Sequence, residues 1–140
     1  MVSAKGRYAL CVLIDLAQHA GEGCVSLRDV SRRQGVSLKY LETIASALHK
    51  AGLLKSQRGK NGGYTLARPA EEIRVSEVLL LTEGSLSPIV CVDCENVCEK
   101  AALRLTMPMW QELDRVIDSY LSGVTVAGLA EGRSGGVEKD

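Results

Sequence analysis

The sequence predicts a mainly α protein with one small β-hairpin, and three observations carry that expectation. Residues 37–52 read as a helix of about fourteen residues bracketed at both ends. Ser37 is a favoured N-cap, Gly52 a favoured stop, and Leu41, Ile44 and Leu48 between them recur at three- and four-residue spacing. Directly after it, residues 53–57 and 64–67 have strand composition and flank Gly59-Lys60-Asn61-Gly62-Gly63, the chemistry of a hairpin turn. Further on, Trp110, Leu113, Ile117 and Leu121, with Val116 and Tyr120 alongside, mark a long amphipathic helix from about residue 108 to 121.

The remaining elements fill in around these. Residues 3–20 read as a first helix whose apolar face is made of Leu10, Leu13, Ala17 and Ala20, flanked by Ile14 and Leu16, and Gly21-Glu22-Gly23 ends it. Ser26 starts a second helix through Gln34, with Asp29 near a capping-box position. Gln34-Gly35-Val36-Ser37 is then a tight turn into the third helix. Helix, turn, capped helix and hairpin make a winged helix-turn-helix over residues 1–68. After Arg68-Pro69 the composition changes. Residues 69–72 form a turn, Ser76 caps a short apolar helix through Leu81, and Gly84-Ser85-Leu86-Ser87-Pro88 breaks it. Residues 69–131 thus hold a cysteine-bearing loop and the long helix, followed by a helical turn over 125–130, and the Gly-rich, charged residues 132–140 read as a disordered tail. A lone long helix C-terminal to a winged head suits pairing with its own copy.

The formal net charge of the 140 residues is zero, but it is divided. Residues 1–68 carry 11 Lys and Arg against 4 Asp and Glu, net +7, and residues 69–140 carry 6 against 13, net −7. A basic half of this kind points to nucleic acid. On the third helix, Lys39, Tyr40 and Glu42 are expected on the solvent side of the leading turn, where polar groups suit base edges in a major groove. Arg58 and Lys60 place positive charge on the hairpin tip, and Gly62 and Gly63 allow close backbone approach, as a wing against a minor groove or phosphate rail requires. Lys5, at the start of the first helix, and Arg28, on the second, are further candidate contacts to double-stranded DNA. There is no apolar run of membrane-spanning length and no signal-peptide pattern, so a cytoplasmic protein is expected.

Five cysteines, an odd number, argue against a disulfide framework. Cys91, Cys94 and Cys98 lie in a C-x2-C-x3-C run that can present three thiolates to one metal or cluster face. Asp93, Glu95 and Glu99 around them disfavour a reactive low-pKa thiolate, which weakens a thiol oxidoreductase and favours ligation of an iron–sulfur cluster or of zinc. Both normally want four ligands; the loop has no fourth, and Cys11 on the first helix is the best distant candidate, Cys24 being left as structural. His19 and His49 have no partnered nucleophile, and no catalytic residue is assigned.

Lys5-Gly6-Arg7-Tyr8-Ala9, Ser37-x-x-Tyr40-Leu41-Glu42, Arg58-Gly-x-x-Gly62-Gly63-Tyr64, Leu66-Ala67-Arg68, the cysteine loop and Trp110 occur in an order that resembles the bacterial winged-helix regulators that include IscR, NsrR, RirA and CymR. The resemblance runs from Ser3 to Ala130. It implies a homodimer reading a palindromic operator, commonly as a repressor. Ser37, Tyr40 and Glu42 then fall on the base-reading helix, and Arg58 with Gly62-Gly63 on the minor-groove wing. It also implies an iron–sulfur cluster in many members, whereas others have none and act through a partner protein, a metabolite or redox state. The loop departs from the pattern: Cys91 and Cys98 match the first two cysteines, Arg104 stands at the third, Met107 at the histidine of IscR-type members, and Cys94 is additional. In some relatives the fourth ligand comes from the partner's first helix, the region where Cys11 lies. A four-thiolate site of Cys91, Cys94, Cys98 and Cys11 is the expectation drawn here.

Overall fold

The computed structural model describes residues 2–59, 62–84 and 101–132. Lys60, the cysteine loop with Cys91, Cys94 and Cys98, and the tail lie outside them. The order is α1 (Ala4–Gln18), α2 (Leu27–Gln34), α3 (Leu38–Lys50), β1 (Leu54–Gln57), β2 (Gly63–Leu66), a 3-10 turn (Ala70–Glu72), α4 (Val75–Glu83), α5 (Ala101–Ser122) and α6 (Val126–Ala130).

Local chemistry explains most boundaries. Ser3, Ser26, Ser37 and Thr125 each accept a backbone N–H with the side-chain oxygen, capping α1, α2, α3 and α6. Gly35 closes α2 at φ +69°, a left-handed conformation that glycine adopts without steric cost, and so turns the chain into α3. β1 and β2 pair antiparallel with Leu54 opposite Leu66 and Gln57 opposite Gly63, within one residue of the expected strands.

Other expectations need correction. Ser76 does not cap α4: the helix starts at Val75, and Ser76 is buried inside its first turn, with its hydroxyl accepting a hydrogen bond from Ser122. Arg74 holds the cap position, its N–H donating to the Glu77 carboxylate at 3.0 Å. On α1 the buried face is Ala9, Val12, Leu13 and Leu16, while Ala20 lies exposed beyond the helix. α5 begins at Ala101, seven residues before Pro108, which sits inside the helix instead of starting it.

One core joins the head to the chain's later part. Leu13, Val12, Val30, Leu41, Ile44 and Leu48 pack with Ile73, Val78 and Val126, all essentially sealed from solvent. Val75 N–H bonds to the Val124 carbonyl and Val126 N–H to that of Ile73, each at 2.9 Å, pinning the start of α4 to the α5–α6 junction. A second cluster of Val75, Leu79 and Val124 receives Leu10, Ile117, Leu121 and Leu129. The apolar surface of α5 is therefore split. Ile117 and Leu121 pack back onto the head, whereas Leu105, Met109, Leu113, Val116 and Tyr120, spaced four, four, three and four apart, stay exposed on one stripe.

Candidate nucleic-acid interface

The buried stripe of α3 is Leu41, Ile44, Ala45 and Leu48. Its periodicity leaves Lys39, Glu42, Thr43, Ser46 and Lys50 on the opposite face, where with Lys5 of α1 they line a shallow open groove. Three ammonium groups stand against one carboxylate there, so the groove is net positive. Its middle offers a carboxylate acceptor and two hydroxyls, and its ends offer cations. That arrangement places phosphate-binding charge around groups able to read base edges. Thr43 and Ser46 were missed by the sequence reading, although the 3.6-residue spacing from Lys39 to Lys50 carries the signal.

The predicted residues are distributed unevenly over this face. Lys39 and Glu42 are exposed, as expected. Tyr40 is not on the solvent side: it is half-buried against the core, edge-on to Tyr8 with ring centroids 5.8 Å apart. Its ring fixes how α3 meets α1. Ser37 is exposed, and its oxygen is committed to the Tyr40 N–H at 3.2 Å, leaving the hydroxyl hydrogen as the group it can offer outward. Arg28 is exposed on α2, apart from the groove lining.

The hairpin is held in place by short-range contacts. Val25, just before α2, exchanges two backbone hydrogen bonds with Tyr64, at 2.9 and 2.8 Å. The Cys24 thiol donates to the Gln57 side chain at 3.0 Å, and His49, at the end of α3, contacts Ser56 and the Tyr64 ring. Arg58 is exposed where the turn begins. Gly62 and Gly63 serve the hairpin itself. A Cβ at Gly62 would overlap the Gln57 carbonyl oxygen and stand 2.9 Å from that of Gly59, and one at Gly63 would overlap the Val25 carbonyl. The Gly62 N–H already bonds to the Gly59 carbonyl at 3.0 Å.

Ion pairs set the helices that carry this face. Asp15 of α1 is buried and accepts from Arg33 Nε at 2.9 Å, from a second guanidinium nitrogen, and from Gln34 at 3.3 Å. Burial pushes its carboxyl up, but these bonds and the Arg33 charge outweigh that and hold it below the ordinary aspartate value. Gly6 lets α1 lie directly on α4, since a Cβ there would come 2.7 Å from the Glu83 carboxylate and 3.1 Å from Leu79. Glu83 in turn accepts from the Ser3 hydroxyl and backbone N–H, which hold its carboxyl down. These contacts account for Gly6 and Tyr8 in the Lys5–Ala9 motif.

The family model for Rrf2, described as an iron-dependent transcriptional regulator, matches residues 2–132. The chain belongs to the Rrf2 family. IscR of Aliivibrio salmonicida, an HTH-type transcriptional regulator, is 41% identical over 128 residues, 91% of this chain and 76% of that protein. Among solved structures, the T. potens IscR aligns with a TM-score of 0.75 at 35% identity over 100% of this chain and 93% of that one. CymR, the global cysteine regulator of B. subtilis, aligns with a TM-score of 0.73 at 33% identity over 96% and 98%. This Rrf2 protein is thus a DNA-binding transcriptional regulator with a winged-helix head, and its family is one of regulators, not enzymes. No helix among the described residues is long and apolar enough to cross a membrane. Of the expected metal ligands only Cys11 falls within the described residues, half-buried on α1, and no group of three or more candidate metal-binding side chains is gathered among those residues.

Proposed function

We propose that two copies of this chain form a cytoplasmic homodimer that reads a palindromic operator as a repressor, with binding governed by an iron–sulfur cluster on Cys91, Cys94, Cys98 and Cys11. The observation that carries the DNA reading is the polar face of α3, with Lys39 and Lys50 at its ends, Lys5 across from it, and Glu42, Thr43 and Ser46 between. Lysines hold phosphates and set register; the carboxylate and hydroxyls discriminate bases. Arg58 and Lys60 extend the contact along the wing, and Arg28 and Ser37 flank it. The open stripe of α5 supports the second copy, because each large apolar side chain taken out of water stabilises the dimer by roughly 1.5–3 kcal/mol when fully buried.

The donor set suits the cofactor. Three thiols within eight residues, with Cys11 as a fourth, are the soft ligands that iron–sulfur clusters and zinc accept. A bound cluster supplies a link sensitive to iron and oxidants. The chain's own part is mechanical: the loop connects Gly84, at the end of α4, to Ala101, at the start of α5, and α1 with Cys11 packs on α4. A restraint between the loop and α1 therefore acts on the helix that spaces the two heads, and half-site spacing decides dimer binding.

The test is anaerobic purification, a visible spectrum, iron and acid-labile sulfide per chain, and binding to DNA selected from a random library before and after chelation. Brown protein containing both elements, with altered affinity once they are removed, is the expected result. Colourless protein after attempted reconstitution sinks the cluster and leaves zinc, thiol oxidation or a partner as the signal. Failure to select any preferred sequence sinks the operator reading itself.

A further inference from the structure

The start of α1 carries an electrostatic cost that its own sequence does not relieve. Lys5 and Arg7 put two cations near the positive end of the helix dipole, and the first turn contains no acidic residue to offset them. The acid comes instead from Glu83, the last residue of α4. Its Oε1 accepts the Ser3 N–H at 2.9 Å and its Oε2 accepts the Ser3 hydroxyl at 2.7 Å, while Thr82 donates to the same Oε2 at 3.0 Å. Ser3 Oγ in turn receives the Gly6 N–H at 3.3 Å. Carboxylate, cap and first helical turn thus form one hydrogen-bonded chain between parts of the sequence 80 residues apart.

Gly6 makes this approach possible, because a Cβ there would stand 2.7 Å from Glu83 Oε2 and 3.0 Å from the Thr82 hydroxyl. Lys5 is the residue immediately before it. Its side chain leaves α1 in another direction and lines the α3 groove with Lys39, Glu42 and Lys50. Lys5 has no ion pair among the described residues. Its ammonium is therefore placed by the backbone that carries it, and Ser3 and Gly6 on either side hold that backbone against α4.

We infer that Glu83 is a positioning residue for DNA binding: by clamping the first turn of α1 to α4, it sets where Lys5 meets a DNA phosphate. This rests on the reading of the α3 groove as the DNA-contacting face. The clamp has a signature opposite in sign to simple charge. Removing a carboxylate near Lys5 lowers repulsion of DNA, so charge alone predicts tighter binding. Releasing the first turn predicts weaker binding, because the Lys5 contact must then order a fraying helix end.

The experiment measures binding of the full-length protein to a duplex selected from a random library by the wild type, across a salt series. Lys5→Ala, Glu83→Ala and the double variant complete a cycle. Lys5→Ala is expected to weaken binding about fivefold per head at about 0.15 M salt and to lower the salt slope by about one, the counterion-release value of one phosphate contact. Glu83→Ala should weaken binding in the same direction, and in the Lys5→Ala background it should cost nothing further. Faster exchange of the Gly6 amide, with the circular dichroism spectrum unchanged, should accompany it. Glu83→Gln keeps one acceptor oxygen, loses less, and carries the test should Glu83→Ala not fold. Ser3→Thr retains the hydroxyl and should bind as wild type does. With Lys5→Ala weakened as expected, Glu83 variants that bind as tightly as wild type or more so would overturn the clamp alone, as would a loss that persists in full without Lys5. Lys5→Ala binding like wild type would instead remove Lys5 from the DNA face and take the clamp's role with it.

Discussion

Burial of the Asp15 carboxylate is tolerable because Arg33 and Gln34 meet it, and the pair locks α1 to α2. Replacing Arg33 with Met removes the charge partner and strands the carboxylate. Water reaches one side of Arg33, so the expected loss at pH 7 is about 2 kcal/mol, below the roughly 3–5 kcal/mol of fully buried pairs. Asp15 has its carboxyl depressed in the folded protein, so its stabilisation is present above the unfolded value of about 3.9 and is lost as pH falls through the folded value. In Arg33→Met, burial without the guanidinium raises the carboxyl, which protonates earlier on acidification. The stability gap between variant and wild type should therefore narrow as pH falls towards 4, in urea melts recorded across pH. A gap that stays constant would mean that Arg33 contributes only packing. Residues of this kind were not legible in the sequence. The Ser26 and Ser37 caps act on neighbours three residues away and could be read directly; Asp15 finds its partner 18 residues on. Gly62 and Gly63 were recognised as special for an external ligand, whereas carbonyls of the chain itself exclude their side chains.

At the level of elements, α5 shows both what periodicity conveys and what it omits. Its apolar positions were readable, but their division between Ile117 and Leu121 facing the head and the outward stripe depends on where α4 and α6 lie. Its start was misplaced because proline favours a first turn, yet here Pro108 lies in the eighth position of a helix of 22 residues. A proline there removes one backbone hydrogen bond and crowds the carbonyl four residues earlier, at a cost of about 3 kcal/mol or more in an isolated helix interior. Pro108→Ala should accordingly slow amide exchange in the preceding turns of α5 and raise the melting temperature. Unchanged or faster exchange in residues 104–107 would show that the helix end, not the proline, limits local stability. This weak point lies near the start of the stripe, between Leu105 and Met109, so a stiffer α5 should also transmit a restraint from the loop further along the helix.

In the whole molecule, the basic head and acidic remainder divide labour that a single head cannot complete. On the proposed reading one α3 face meets one half-site, with few phosphate contacts and correspondingly weak binding at physiological salt. Two heads held at a fixed separation multiply their affinities through the effective concentration of the second site. The stripe from Leu105 to Tyr120 is the surface available to set that separation, since Ile117 and Leu121 fix its angle to the head. Leu113→Glu combined with Val116→Glu places two carboxylates at the centre of the stripe, at positions exposed in the single chain, so the folded head is retained. The variant is expected to sediment as a monomer, to keep the wild-type circular dichroism spectrum, and to bind a selected inverted repeat at least about a hundredfold more weakly. Its affinity for an isolated half-site should remain that of wild type, with the same dependence on salt per head. A dimer that survives both charges would move the interface off this stripe, and a monomer that still holds the full repeat tightly would dissolve the link between pairing and operator recognition.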